Sequence, residues 1–155
     1  MAGTTTALMA GIFYAFSCSV NLGLGRLSDT EYLTAFQSIN RSIQNPIFFI
    51  PFFGAPLLLA LSAWLSYRQP APVRFWLLAA ASLVYWVGSL GVTVLGNIPL
   101  NEQLDSVRVL SASADELARH RAQFEGPWNR LNTVRTLSST LAVLLCILAC
   151  LSHDD

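Results

Sequence analysis

Two arginines and a histidine are the residues of this chain most able to do chemistry. Arg41 and Arg135 each stand near the end of an apolar stretch. A guanidinium drawn out of water there needs a carboxylate, an amide cluster or an anionic ligand, or else it snorkels back to lipid phosphate. Asparagine amides lie close by in sequence: Asn40 and Asn45 near Arg41, Asn129 and Asn132 near Arg135. His120 is the one histidine outside the terminal tail. It is a general base if its segment folds over a cavity, and a solvated surface side chain if it does not. With no His-x-x-His pair and no carboxylate cluster inside the apolar stretches, no metal site is expected.

The asparagines sharpen this reading. All seven, Asn21, Asn40, Asn45, Asn97, Asn101, Asn129 and Asn132, lie beside the ends of four apolar stretches. An up-and-down path through a membrane gathers them at one face. Amides are costly in hydrocarbon and ordinary in loops, so a chain without a site would scatter them over both faces. Hydroxyls follow the same asymmetry: Tyr14, Ser17 and Asn21; Ser82, Tyr85, Ser89, Thr93 and Asn97; and Asn132, Thr136 and Ser139 recur at helical spacing. They predict a polar-bottomed cavity opening at that face. The competing reading is that each hydroxyl bonds back to its own helix or packs across helices.

The elements that must position these residues follow from composition. The 155 residues are 54% hydrophobic and 12% charged, with a mean hydropathy of +0.51. That charge content is about half the ~25% of soluble domains. About 20 apolar residues cross ~30 Å of hydrocarbon, and spans are predicted at 4–24, 47–67, 75–95 and 133–151. The first lacks a cationic start and is too long for a signal's apolar region, so it is expected to be retained. Nine arginines, no lysine and a net charge of zero offer no basic surface to nucleic acid. Cys18 falls toward one face and Cys146 and Cys150 toward the other, which predicts small core residues rather than a disulfide or joint metal site.

Ser28 and Glu31 have capping-box spacing and open an amphipathic helix over 29–44, whose stripe of Tyr32, Leu33, Phe36, Ile39 and Ile43 is expected to lie on or dip into the interface. Asn45-Pro46 marks the start of the second span, and Pro56 predicts a bend within it. Phe48, Phe49, Phe52 and Phe53 around that weak point either face lipid or wall a pocket for a flat ligand. Residues 68–74 read as a tight hairpin flanked by an aromatic belt of Trp64, Tyr67 and Trp76. Gly96-Asn97-Ile98-Pro99 predicts a helix stop and turn. Beyond it, 97–132 is expected to form a cap with a short helix through Leu100 and Leu104, a second opened by Ser113 and Glu116, and an interruption at Gly126-Pro127. The predicted fold class is all-α: one domain over 1–155, an integral membrane four-helix bundle with a helical extramembrane cap between helices 3 and 4. A bacterial inner membrane is the expected setting. Arginines number seven on the asparagine side and two at the hairpin, yet the cap's acids stand beside those seven, and the expectation is that both termini are cytoplasmic.

Four groups of residues then carry a resemblance: Gly11 to Asn21; Ile39-Asn40-Arg41 with Asn45-Pro46; Asn97-Ile98-Pro99-Leu100-Asn101 with Leu104; and Trp128-Asn129-Arg130 with Val134-Arg135. Together they resemble the anthrone oxygenase-like family of small membrane proteins. The resemblance implies a four-helix membrane protein, and its fungal members are linked to oxidation of anthrones to anthraquinones. An anthrone carries an acidic methylene, and its anion reacts with O2 directly, so molecular oxygen would be co-substrate with no bound cofactor. The protein would supply a flat apolar slot, oxyanion donors and a base. Phe48 to Phe53 suit the slot, Asn97, Asn101 and Arg135 the donors, and His120 or Tyr85 the base. Asn21, Asn40, Arg41, Asn45, Phe49, Phe52, Trp128, Asn129 and Asn132 are the expected substrate-binding residues.

The ligand expected is a hydrophobic small molecule, aromatic or quinone-like, or a lipid. The competing class is non-enzymatic: a small integral membrane subunit or lipid-binding scaffold whose amide-rich end docks a protein partner or a second copy. A transporter is disfavoured by the lack of ionisable residues in mid-membrane.

Overall fold

The computed structural model describes residues 1–67 and 72–152. The hairpin expected at 68–74 lies outside the described residues over 68–71. Helix α1 spans Ala2–Leu24, α2 Asp29–Ser42, α3 Pro46–Tyr67, α4 Pro72–Asp105 and α5 Ala114–Leu151. No strand occurs among the described residues. All but α2 are long and apolar enough to cross a membrane, so the chain is a multi-pass membrane protein. These four form a closed square in which α3 packs between α1 and α4, and α5 between α4 and α1. The path alternates: Gly3 faces Cys146, Arg74 Nη2 donates to the Ser152 carbonyl at 3.1 Å, and Ser17 meets Thr136 at the other end.

The bundle core is built from Met9, Phe13, Phe52, Leu59, Tyr85 and Ala142 among others. Two glycines let α4 and α5 approach closely. A Cβ on Gly88 would overlap the Ser138 side chain, and one on Gly96 would sit 2.7 Å from Leu131 Cδ1.

Both predicted capping boxes form, with Ser28 and Glu31, and Ser113 and Glu116, each bonding in both directions. Ser28 hydrogen bonds hold the Glu31 carboxyl below its ordinary range. The stripe of α2 behaves differently from expectation. Tyr32, Leu33 and Phe36 are fully covered by protein, packed with Leu104, Phe124 and Trp128 into a second core. The reason is that α4 and α5 extend past the bundle and offer that stripe an apolar partner in place of lipid. Gln37 ties the layer together, its Nε2 donating to the Leu104 and Val107 carbonyls at 2.8 and 2.9 Å.

Two predicted interruptions are absent. The helix stop at Gly96-Pro99 does not occur, because a wide π-helical turn over Thr93–Asn97, with Ile98 N–H donating to the Thr93 carbonyl, accommodates the proline ring and α4 runs on to Asp105. Gly126-Pro127 does not break α5 either. Pro127 removes one donor from the exposed Gln123 turn, while Phe124 and Trp128 are buried on either side and hold the helix. At 38 residues, α5 unites cap and span in one element, about 57 Å long at 1.5 Å per residue. The stripe expected on α1 is also incomplete, since Tyr14 points outward and is exposed.

Candidate functional site

At the amide-rich end the helices part around a chamber of about 560 Å³. Its walls come from the upper turns of α1, α3, α4 and α5, and α2 roofs it with Ile39, Asn40 and Ile43. Asn45 starts the α3 wall: its Oδ1 accepts from Phe48 N–H at 3.1 Å and its Nδ2 donates to the Ser42 carbonyl at 2.7 Å. Helical phase then carries Phe48, Phe49, Phe52 and Phe53 to the chamber. Phe48 and Phe52 stack with centroids 5.2 Å apart and planes 19° apart, a flat aromatic wall. Phe13, Phe16 and Trp128 face it from α1 and α5.

The floor carries a cation. Arg135 lines the chamber, is 6% exposed, and finds no carboxylate among the described residues. Its Nη2 donates to Asn132 Oδ1 at 2.8 Å and its Nη1 to Thr93 Oγ1 at 3.4 Å, while Nε has no partner. The guanidinium lies 4.5 Å from the Phe13 ring centroid and 5.2 Å from that of Trp128, where the ring faces offset part of its desolvation. Asn132 is fully buried and aims it: its Nδ2 donates to the Phe13 carbonyl at 3.1 Å and to Ser17 Oγ at 2.9 Å. A π-helical turn over Phe16–Val20 begins three residues after Phe13. The buried hydroxyl of Tyr85 is within electrostatic range of Arg135 and has no hydrogen-bond partner.

Higher on the wall, Trp128 Nε1–H donates to Asn101 Oδ1 at 2.9 Å. That bond assigns the oxygen of the amide to tryptophan and leaves its N–H groups for the chamber. At the rim, Arg41 reaches across from α2 to Asp105 of α4, with Nη2 and Nε at 2.7 and 2.8 Å from one carboxylate oxygen. Glu102 also lines the chamber, and among the described residues no ion pair or hydrogen bond engages its carboxylate.

Of the residues expected at the site, Asn40, Arg41, Phe49, Phe52, Asn101, Trp128 and Arg135 line the chamber. Asn132 and Tyr85 stand behind Arg135. Asn97 is buried beside the chamber with both amide atoms unpaired, and Asn21 and Asn129 each keep an unpaired buried oxygen. Asn45 is a helix cap. His120 is the exception. It is exposed and lines, with Leu100, Gln103 and Phe124, a separate indentation of about 30 Å³ in the cap. It is separated from the chamber because Leu117, Phe124 and Trp128 take the inward face of α5. Sequence reasoning missed Phe13, Phe16, Glu102 and Asp105. The two carboxylates follow Asn101 at one and four residues, a signal available in the helical spacing; the phenylalanines carried none beyond hydrophobicity.

Chemically, the chamber offers a flat aromatic body a stacked wall and offers an oxygen at its deep end charged donors whose charge is not already neutralised. Among the described residues no three His, Cys, Asp or Glu side chains gather as a metal-holding group. In comparison with known proteins, a family model described as anthrone oxygenase matches residues 46–145. Neither the curated proteins nor the solved structures contain a match to the chain.

Proposed function

The chain belongs to the anthrone oxygenase family, and from that premise we propose that it oxidises a flat, membrane-soluble aromatic ketone of the anthrone type with O2. The observation that carries this reading is Arg135: a buried guanidinium with a free Nε, no carboxylate partner and an open aromatic chamber in front of it. Burying an unneutralised cation is costly, and a ligand oxygen that becomes an anion would repay it.

In the proposed reaction the substrate carbonyl oxygen accepts from Arg135, and the rings lie between the Phe48/Phe52 wall and Trp128. The methylene loses a proton, and the negative charge passes to the oxygen held by Arg135. The anion gives an electron to O2, the radicals join in a carbon–oxygen bond, and the hydroperoxide so formed loses water to leave a second carbonyl. One substrate and one O2 become one quinone and one water. Asn101 donates to the oxygen formed at the far end. Glu102, the rim carboxylate without a cation, takes the proton from the methylene and returns it to the peroxide anion, which gives the hydroperoxide. Stacked aromatic walls with the Arg donor at the deep end support this reading over a lipid-binding scaffold, whose anionic headgroup would sit at the rim and not at the floor.

The test is oxidation of an anthrone by the purified protein in vesicles, followed as quinone absorbance above the spontaneous rate. Arg135→Gln is expected to lower turnover by about 10²- to 10³-fold, the usual effect of losing one oxyanion donor. Unchanged turnover in a folded Arg135→Gln protein overturns the assignment.

A further inference from the structure

We infer that the chamber is loaded sideways from the bilayer, through a cleft between α3 and α4, so that its substrates are apolar molecules dissolved in the membrane and not solutes. The inference deepens the proposed function and rests on the chamber being a substrate site. Phe49 and Phe53 on α3, and Val94 and Ile98 on α4, all line the chamber. The same four are 37%, 52%, 48% and 39% exposed. A side chain that lines a chamber and also meets the outside borders an opening.

Three of the four rim residues lie on the bundle side of the amide level. Phe49 and Phe53 follow the capping Asn45 by about one and two turns, and Val94 precedes Asn97 by about one, roughly 5–11 Å inside the amide level, while Ile98 stands at that level. All four rim residues are apolar, so nothing at the opening competes with lipid. The packing of α3 on the third span is concentrated on Pro72–Tyr85, the far end of the bundle, which leaves the upper turns free to part.

The water side is narrowed and polar by contrast: Arg41, Glu102, Asp105 and Ser106 line the chamber there and are exposed. Helix α2 lies over the chamber, bonded through Gln37 to the Leu104 and Val107 carbonyls, and the Arg41–Asp105 pair bridges the rim. A molecule entering from lipid passes apolar edges only. A solute entering from water must pass beneath α2 and a charged rim bridged by the Arg41–Asp105 pair.

Trp128, on the chamber wall and one of four tryptophans, reports which route is open. Trp64, Trp76 and Trp86 are replaced by phenylalanine, and the protein is reconstituted in phosphatidylcholine vesicles with brominated acyl chains. Acrylamide serves as the quencher in water. Expected is loss of Trp128 emission with the brominated lipid and little with acrylamide. Val94→Phe or Ile98→Phe, which narrow the cleft, should restore emission, and Asp105→Ala should admit acrylamide without changing quenching by lipid. Quenching of the parent by acrylamide and not by lipid overturns the inference, as does lipid quenching that neither narrowing variant reduces. The readout needs no turnover. A chain that never oxidises an anthrone yet shows lipid quenching relieved by Val94→Phe keeps the lateral route and loses the proposed reaction; an active chain quenched from water alone does the reverse.

Discussion

Arg135 is held by a side chain that never reaches the chamber. Asn132 gives its oxygen to the guanidinium and its two N–H bonds to α1, so one amide couples the cation on α5 to the backbone of another helix. Under the proposed function this makes Asn132 a positioning residue. Asn132→Ala is expected to lower kcat by about a hundredfold, the cost of an ångström-scale misplacement, with KM little changed. Steady-state kinetics on a variant that melts at the parent's temperature check it; an equal rise in KM would mean the loss is one of binding. The three-residue spacing of Asn132 and Arg135 puts them on one helix face, and that pairing is legible in sequence. Thr93 as the partner across helices, and Phe13 and Trp128 as the rings beside the cation, depend on which helices become neighbours, which spacing within one helix does not encode.

The helices show where local signals hold and where packing overrides them. Capping boxes at Ser28 and Ser113 are read correctly because the bonds close within four residues. Proline and glycine at 96–99 and 126–127 mislead because their cost is local and their compensation is not. A widened turn carries α4 past Pro99, and burial of Phe124 and Trp128 carries α5 past Pro127. Gly88 has the opposite character, since its sequence context is bland but its site admits no side chain against Ser138. Gly88→Ala is expected to cost about 1–3 kcal/mol, the usual penalty of overpacking. Adding Ser138→Gly should recover most of it. Thermal melts of the single and double variants in detergent measure both; a double variant no better than Gly88→Ala would place the strain elsewhere.

Bundle and cap are two apolar cores sharing α4 and α5, and Arg121 gathers the polar contacts of the link that joins α1 to the cap. Arg121 donates through Nη1 to the Leu27 carbonyl at 2.8 Å and to Asp29 at 3.0 Å, through Nη2 to the Gly25 carbonyl at 2.9 Å, and through Nε to Glu125 at 2.8 Å. It also lies 4.5 Å from the Tyr32 ring centroid. Removing it strips the 25–29 link of those donors together. Arg121→Ala is therefore expected to speed tryptic cleavage after the exposed Arg26, with Arg119→Ala, an exposed neighbour on the same helix, leaving the rate unchanged. Time-resolved digestion of the two variants decides this, and equal rates would show that the link is held by its apolar contacts alone.

Hydropathy and spacing alone determine that this chain is a helical membrane bundle, with its amides gathered at one end, since crossing hydrocarbon forces every backbone bond inward and leaves few ways to arrange four apolar stretches. Whether those amides close on themselves or surround a space is settled by tertiary structure. The chamber exists because α3 parts from its neighbours above its packed half while α2 is drawn over the gap by aromatic partners on α4 and α5. The same burial of Phe124 and Trp128 turns His120 outward and leaves Arg135 facing the opening, an outcome of which faces pack together and not of any residue's own preference.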